Sequence, residues 1–449
     1  MSDDPRQHRY LAALAERYTQ RTRGSQLTRE AAWPALADGR MSQGYFSTAP
    51  EPARERWRAT KQLRHSIVAT RSQGPLVWDI DGNEYIDFCL GFGVHLFGHR
   101  PAFIEDALRA QLERGLPIGF ENPLTNRVAA NIARLTGSER VGFCNTGAEA
   151  VMGALRLARA ATGRDRIAVF AGAYHGGHDS VLPLGQTRGV SANQRADTLV
   201  LEYGDARSLA QIDAHADQLA AVLVEPVQAS NPGLQPAEFL HELRELTSAH
   251  DIALIFDDVL LGFRIHAGGS QAHFDIRADI ATFGKIVGGG LPIGVVAGSA
   301  RYLDALDGGR WSAHDSSQPG GDKIWLAGTF SKNPMTMAAA HAVTEQLLAA
   351  GPELQLGLND ATARLCDRTN TWLRNHSLPV ELVRCGSLFR LCAPPQLWPV
   401  MAELRMRGVF AFDGMVFFVS TAHSETQLQQ FEAALQSSLL ALRDGGFTT

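Results

Sequence analysis

The chain has 449 residues, 45% of them hydrophobic and 20% charged, which is the make-up of a folded globular protein and excludes a disordered or fibrous one. The formal net charge is -5, with Lys and Arg spread along the chain, which speaks against a nucleic-acid binder. No run approaches the roughly 18 apolar residues of a membrane helix, MSDDPRQHRY lacks the apolar core of a secretory leader, and five cysteines without CxxC spacing suit neither a disulfide framework nor a metal site. These features point to the cytoplasm, either as a free-standing protein or as a domain of a longer one.

In chain order, residues 1–65 read as an appended helical and extended segment. RYLAALAERYTQR has the spacing of an amphipathic helix, and the stretch near Trp33–Gly44 is turn-rich. Residues 66–100 read as the N-terminal part of a small domain, with PLVWDIDGNEYIDF forming a hairpin that turns at Asp81-Gly82. Residues 101–334 read as a large domain. There, helical stretches such as FIEDALRAQLERG alternate with short apolar runs, RVGFC, RIAVF, AAVLVEP and IALIFDD, the pattern of a mostly parallel sheet covered on both faces. Residues 335–449 begin with the helix MTMAAAHAVTEQLLAAG and continue as a smaller α+β region. The fold class is α/β, and in open sheets of this kind ligands sit at the carboxyl ends of the strands.

Several polar residues fall at those ends. After RVGFC come Asn145, Thr146, Gly147 and Ala148, then a helix, so that small residues let backbone N–H groups approach an anion. Taken alone, this is equally an ordinary capped helix start. Tyr174 and His175 lie in a glycine-rich loop after RIAVF, where an aromatic ring can stack on a heteroaromatic ligand or merely anchor the loop. Asp257 and Asp258 end a wholly apolar strand. A carboxylate there is costly unless it meets a cation, and a protonated pyridine nitrogen is one candidate beside a structural salt bridge or a cap. Lys285 stands between an apolar run and Gly288–Gly290, where enclosure lowers proton affinity and favours a Schiff-base nucleophile, the alternative being a lysine paired with a carboxylate. Glu225, at the end of AAVLVEP, and Thr329, in LAGTFSKNP, are weaker signals, more often turn residues than ligands.

Together, WDIDGNEYIDF, NTGAEAVMGALRLAR, FAGAYHG, VEP, LIFDDVLLGFR, FGKIVGGGLPIG and GTFSKNP stand in the order of the class III aminotransferases, and from about Pro75 to His423 the chain resembles that family. The resemblance implies a fold type I, aspartate-aminotransferase-like structure with a mostly parallel seven-stranded sheet in the large domain and a smaller α+β domain. It implies pyridoxal 5'-phosphate as cofactor, with pyridoxamine 5'-phosphate as an intermediate form. Lys285 would carry the cofactor as a Schiff base and shuttle protons, and Asp257 would pair with the pyridine nitrogen. Tyr174 and Val259 would face the two sides of the ring, with Asn145 and His175 among the cofactor contacts. Gly147 and Ala148 would hold the phosphate, Glu225 would lie near the ring hydroxyl, and Thr329 would reach the phosphate of the other subunit of a homodimer.

Within the family the chain is most similar to the glutamate-1-semialdehyde aminomutase branch, through RGVF and FFVSTAHSE. It is more similar still to aminotransferase domains of hybrid polyketide/peptide synthases, through YTQRTRGS, GFGVHLFGHRP and QLAAVLVEPVQ. It departs from the family pattern at Asp258, where Glu is usual, and at Lys332, where Gly is usual. Relative to the aminomutases it has Phe92 in place of tryptophan and Met415 in place of a gating glutamate. An apolar substrate pocket including Phe92, Phe120, Met415, Phe417 and Phe418 is expected. The function implied is transfer of an amino group from an amino donor to a ketone, aldehyde or β-keto-acyl acceptor, free or carrier-protein-bound, in secondary metabolism. An aminomutase and a non-catalytic scaffold are the alternatives, although a scaffold would be expected to have lost Lys285 or Asp257.

Overall fold

A computed structural model describes residues 4–37, 61–63, 65–182 and 188–447. The helices are α1 (Pro5–Arg21), α2 (Arg23–Ala32), α3 (Ala102–Glu113), α4 (Pro123–Thr136), α5 (Gly147–Thr162), α6 (Ala206–Ala214), α7 (Ala237–Ala249), α8 (Pro334–Ala350), α9 (Glu353–Asn375) and α10 (Glu425–Asp444), with shorter helical turns between them.

The expected amphipathic N-terminal helix is α1. Its start is capped by Asp4, whose carboxylate accepts from Arg6 N, and it buries Leu11, Leu14 and Tyr18. The turn-rich stretch expected around Trp33–Gly44 lies outside the described residues from residue 38 onward. The two N-terminal helices are tied to the hairpin: Asn83 Nδ2 donates to Arg21 O at 2.8 Å, and Ser25 N donates to Asp81 Oδ2 at 3.1 Å. The hairpin itself is β2 (Leu76–Asp79) against β3 (Glu84–Asp87), antiparallel, with Gly82 at φ 81°, a value that only glycine adopts without strain. With β1 (Ala69–Gln73) and β13 (Val409–Phe410) it forms a four-stranded sheet in the order β1-β2-β3-β13.

The central sheet has seven strands, β4 (Arg140–Cys144), β5 (Arg166–Phe170), β6 (Thr198–Leu201), β7 (Leu219–Val224), β8 (Ala253–Asp257), β9 (Ile280–Phe283) and β10 (Gly294–Gly298), in the order β4-β10-β9-β8-β7-β5-β6. Every residue of β7 and β8 is buried, as strands covered on both faces require. β10 runs antiparallel to both its neighbours, β4 and β9, so β4 points the same way as the parallel strands. The carboxyl ends of β4, β5, β7, β8 and β9 therefore open on one edge, and that geometry brings residues far apart in sequence to one site. A third sheet, β11 (Glu381–Cys385), β12 (Leu388–Cys392) and β14 (Val416–Phe418), is antiparallel; α9 packs on it, and Phe431 of α10 meets Phe389 and Phe417 edge-on. One core cluster runs from Leu11 of α1 through the central sheet to Phe431 of α10.

Candidate active site at the strand ends

β8 delivers Asp257 into the interior, where it is 3% exposed. His175 Nδ1 lies 2.7 Å from its Oδ2, and its Oδ1 accepts from Thr282 Oγ1 and Val259 N, both at 3.2 Å. Thr282 is the register partner of Asp257 on β9, and that strand continues to Gly284 and Lys285. His175, expected among the cofactor contacts, sits behind Asp257 with its side chain fully buried, which makes it a support of that carboxylate.

Lys285 has φ 40° at the start of a single 3-10 turn, Lys285–Gly288. A left-handed side-chain residue costs about 1–2 kcal/mol, and such strain concentrates where a group must be aimed. Burial lowers the proton affinity of its amine, the Glu225 and Asp257 carboxylates work against that, and the Arg264 guanidinium adds to it. Glu225 follows β7 directly. Burial, opposed by His175, pushes its carboxyl up to about 7, and its Oε2 accepts from Tyr174 N at 3.1 Å. Tyr174 stands over this buried set with 75% of its surface exposed, so one face of the site presents an open aromatic ring.

The helix α5 starts at Gly147, with Thr146 as its cap and Glu149 reaching back to Asn145 N at 2.7 Å. The N–H groups of its first turn, Gly147 and Ala148 included, have no acceptor within the helix. A Cβ on Gly147 would come within 2.6 Å of Val259 Cγ1, and one on Gly284 within 3.4 Å of the same atom. Val259 thus lies between the helix start and the Lys285 strand. A Cβ on Gly176 would strike that of Ala148 at 2.5 Å, so the Tyr174–Gly176 loop closes tightly on the helix start. An anion-ready helix end, an anchored carboxyl group at Asp257, an amine disposed to lose its proton and an open ring fit the parts of pyridoxal phosphate in turn: phosphate, pyridine nitrogen, aldehyde and ring face.

Asp258 turns away from this seat. Its Oδ2 accepts from Ser270 N at 2.8 Å, its Oδ1 from the Ser270 hydroxyl, and burial pushes its carboxyl up to about 7. Arg264, which sequence reading did not single out, is fully buried and bonded to no carboxylate among the described residues. Its Nη1 donates to Ser387 Oγ at 3.0 Å and to Val419 O at 2.9 Å, and its Nη2 donates to Gly93 O at 2.7 Å. It straps the loop carrying Phe92 to the β12–β14 sheet, with Phe418 under its guanidinium at 5.0 Å.

The expected substrate wall is split. Phe92, at φ 58° and 43% exposed, meets Phe412 edge-on at 5.0 Å, and Met415 has φ 59°. Phe412, also unanticipated, sits on a loop held by Arg390 Nη1, which donates to Gly414 O at 3.0 Å. Phe417 corrects the expectation: it is fully buried, stacked on Phe389 at 5.0 Å, and belongs to the core. Alternation along β14 instead turns Phe418 toward Gly93, whose added Cβ would meet Phe418 Cε1 at 2.9 Å. Phe120 and Thr329 line a separate cavity of about 760 Å³ together with Glu121 and Lys332. Lys332 has φ 61°, a conformation that glycine adopts without strain, and pairs with Glu121 at 2.8 Å.

The chain is similar to known proteins over most of its length. The family model "Aminotransferase class-III" matches residues 58–415. A glutamate-1-semialdehyde 2,1-aminomutase of Archaeoglobus fulgidus is 32% identical over 403 residues, covering 84% of this chain and 93% of that protein. Among solved structures, an omega-transaminase from Sphaerobacter thermophilus superposes with a TM-score of 0.81 at 27% identity, covering 92% of this chain and 96% of the other. A transaminase with pyridoxal phosphate bound gives a TM-score of 0.81 at 26% identity, covering 95% and 99%.

Proposed function

Because the chain belongs to the class III aminotransferases, and is thus a pyridoxal-phosphate-dependent enzyme, we propose that it transfers an amino group from an amino-acid donor to a ketone, aldehyde or β-keto-acyl acceptor of secondary metabolism. The observation that carries this reading is Lys285, held in left-handed backbone, with burial depressing its basicity and Asp257 and Glu225 acting on it.

When bound, the cofactor supplies an aldehyde that condenses with amines and a protonated ring that withdraws electrons from the carbon bearing the nitrogen. The residues of this chain do the rest. Asp257, fixed by His175, Thr282 and Val259 N, would hold a proton on the pyridine nitrogen. Lys285 Nζ would hold the aldehyde carbon and, when free, would take a proton from the donor carbon and return it on the same face of the site. Asn145 and the N–H groups of Gly147 and Ala148 form the phosphate end. Tyr174 and Val259 enclose the ring, and Glu225 stands by the ring hydroxyl. Thr329 serves the phosphate of a partner subunit in a homodimer. The exposed ring of Phe92 at the mouth, on the loop strapped to the β12–β14 sheet, favours an apolar or extended acceptor, including one presented by a carrier protein. The cytoplasm is the compartment in which we place this chemistry.

The name of the Archaeoglobus fulgidus relative favours a second reading, an aminomutase that moves an amine within one molecule. Phe92 and Met415, which replace the tryptophan and the gating carboxylate of that branch, favour the first. Mixing the holoenzyme with L-glutamate and a panel of other amino acids separates the two. The transaminase reading expects one donor to release its oxo acid stoichiometrically with enzyme, 2-oxoglutarate if the donor is glutamate. Conversion of a single amino-aldehyde with no oxo acid released by any donor would overturn it.

A further inference from the structure

Phe92 stands in the longest left-handed run among the described residues: Leu90 (φ 47°), Gly91 (62°), Phe92 (58°) and Gly93 (86°) follow one another. Residues with a side chain visit that region singly, because Cβ crowds the following carbonyl, so a run holding a leucine and a phenylalanine persists only where its surroundings fix it. Two buried groups do so. At the entry, Asp87 Oδ1 accepts from Cys89 N at 2.8 Å and from Leu90 N at 2.9 Å. At the exit, Gly93 O accepts from Arg264 Nη2 at 2.7 Å. Asp87 lies on the strand that leads into the run, whereas Arg264 comes from the helical turn Gly262–Ile265 beyond Asp257 and also holds Ser387 Oγ and Val419 O through Nη1. Its guanidinium is fully buried, and its Nε has no hydrogen-bond partner among the described residues. Burial draws its basicity down to about 9, which leaves it charged at neutral pH. A buried cation bonded to no carboxylate is a costly way to fill a core. What it provides here is a charge-assisted bond to a carbonyl in a strained turn. Gly93 is closely packed as well: a Cβ there would meet Phe418 Cε1 at 2.9 Å and Leu260 Cδ1 at 3.2 Å.

We propose that Arg264 is a positioning residue that sets acceptor selectivity: its bond to Gly93 O holds the left-handed turn and thereby fixes the ring of Phe92 at the mouth. One guanidinium then ties together the turn beyond Asp257, the loop carrying Phe92 and the β12–β14 sheet, so the wall that an acceptor meets keeps its place relative to the strand ends. A wall fixed in this way tells apolar chains apart by length, since a methylene that finds or loses its contact is worth about tenfold or more in kcat/KM. Released from the clamp, the turn relaxes toward ordinary backbone and the ring loses its fixed place.

This inference rests on the reading of Phe92 as part of the acceptor wall, and the test keeps the two apart. Amide exchange in the holoenzyme is followed by mass spectrometry at Gly93 N–H and His95 N–H, which are bonded to Cys89 O and Leu90 O. In Arg264→Met these should exchange about tenfold faster than in wild type. The second readout is the ratio of kcat/KM for octanal over butanal with the same amino donor. This ratio cancels any effect of the lost charge on the Lys285 amine, which both acceptors share. It should fall about tenfold in Arg264→Met and in Phe92→Ala alike, with Arg264→Lys, which keeps a cation but not the fork, in between. Ser387→Ala removes one of the groups that Arg264 holds; it should show both changes at about threefold, and it decides the matter if Arg264→Met does not fold. Unchanged exchange in these variants overturns the clamp. An unchanged ratio in Arg264→Met, beside a Phe92→Ala protein whose ratio has fallen, overturns the role in selectivity. A Phe92→Ala protein with the wild-type ratio, or a wild type that turns over neither aldehyde, would instead overturn the reading of the acceptor wall.

Discussion

At the strand ends, Asp257 and His175 are buried, and both Asp257 oxygens have named partners on neighbouring elements. Outside that edge, Phe92 and Met415 at the mouth and Lys332 in the separate cavity all stand on left-handed backbone, with side chains half-buried or open to solvent. The first region is fixed by the sheet. Moving Asp257 would break the register of β8 with β9 and strand buried polar groups. The second region is fixed only by local clamps, such as Arg390 on Gly414 and Lys332 on Glu121. A shared chemistry can therefore be kept at the strand ends while the mouth is refitted for different acceptors.

Four expectations sharpen or break that contrast, beginning with the largest. Lys285→Ala should lower transamination by at least about 10⁴-fold and leave the urea midpoint nearly unchanged, because the lost side chain is a strained reactive group. Single-turnover assays beside unfolding curves check both halves. Asp257→Asn keeps the shape but removes the charge, and should cost about 10²- to 10⁴-fold in kcat; a loss under tenfold would mean that the ring nitrogen does not depend on this carboxylate. Two phenylalanines then separate core from mouth. Phe417→Ala should destabilise by about 3–5 kcal/mol. Phe92→Ala should stay within about 0.5 kcal/mol in stability while raising KM for an apolar acceptor up to about tenfold. Equal losses of stability would erase the distinction drawn between them.

The pH dependence is a more diffuse effect. His65, His95, His178 and His423 are each pushed down to about 4 by burial, against an ordinary value of 6.5. Between pH 6.5 and about 4 the unfolded chain takes up protons that these folded imidazoles refuse, so stability falls as the pH falls through that window. Glu225 and Asp258, pushed up to about 7, act in the opposite direction: the folded state binds their protons first, and that contribution is lost as the pH rises through about 7. The four imidazoles outweigh the two carboxylates, and the apoprotein melting temperature should decline from pH 6.5 to pH 4. A rise over that interval would show the carboxylates dominating.

Much of the strand-end region was legible in the sequence, because its signals are local. Apolar runs ending in Asp257, Glu225 or the Gly284-Lys285 pair mark strand termini, and a parallel sheet gathers such termini at one edge. The hairpin turn at Asp81-Gly82 and the start of α5 at Gly147 were legible for the same reason. What escaped depends on register or on distant contacts. Thr282 supports Asp257 only because β9 pairs with β8 in one particular register. Arg264 gains its role from Gly93, Ser387 and Val419, none of them near it in sequence. Phe417 and Phe418 are chemically alike, and only the pleat of β14 decides which faces the core. His175 was expected among the cofactor contacts, but its place beside the Asp257 carboxylate could not be read from a loop motif.

The central claim is that Lys285 Nζ forms the covalent bond to the cofactor. Reducing the holoenzyme with borohydride, digesting it and mapping the peptides by mass tests this most directly. The account predicts a phosphopyridoxyl group on Lys285 in stoichiometric yield. An unmodified Lys285 in cofactor-saturated protein, or the label on another lysine, would contradict it.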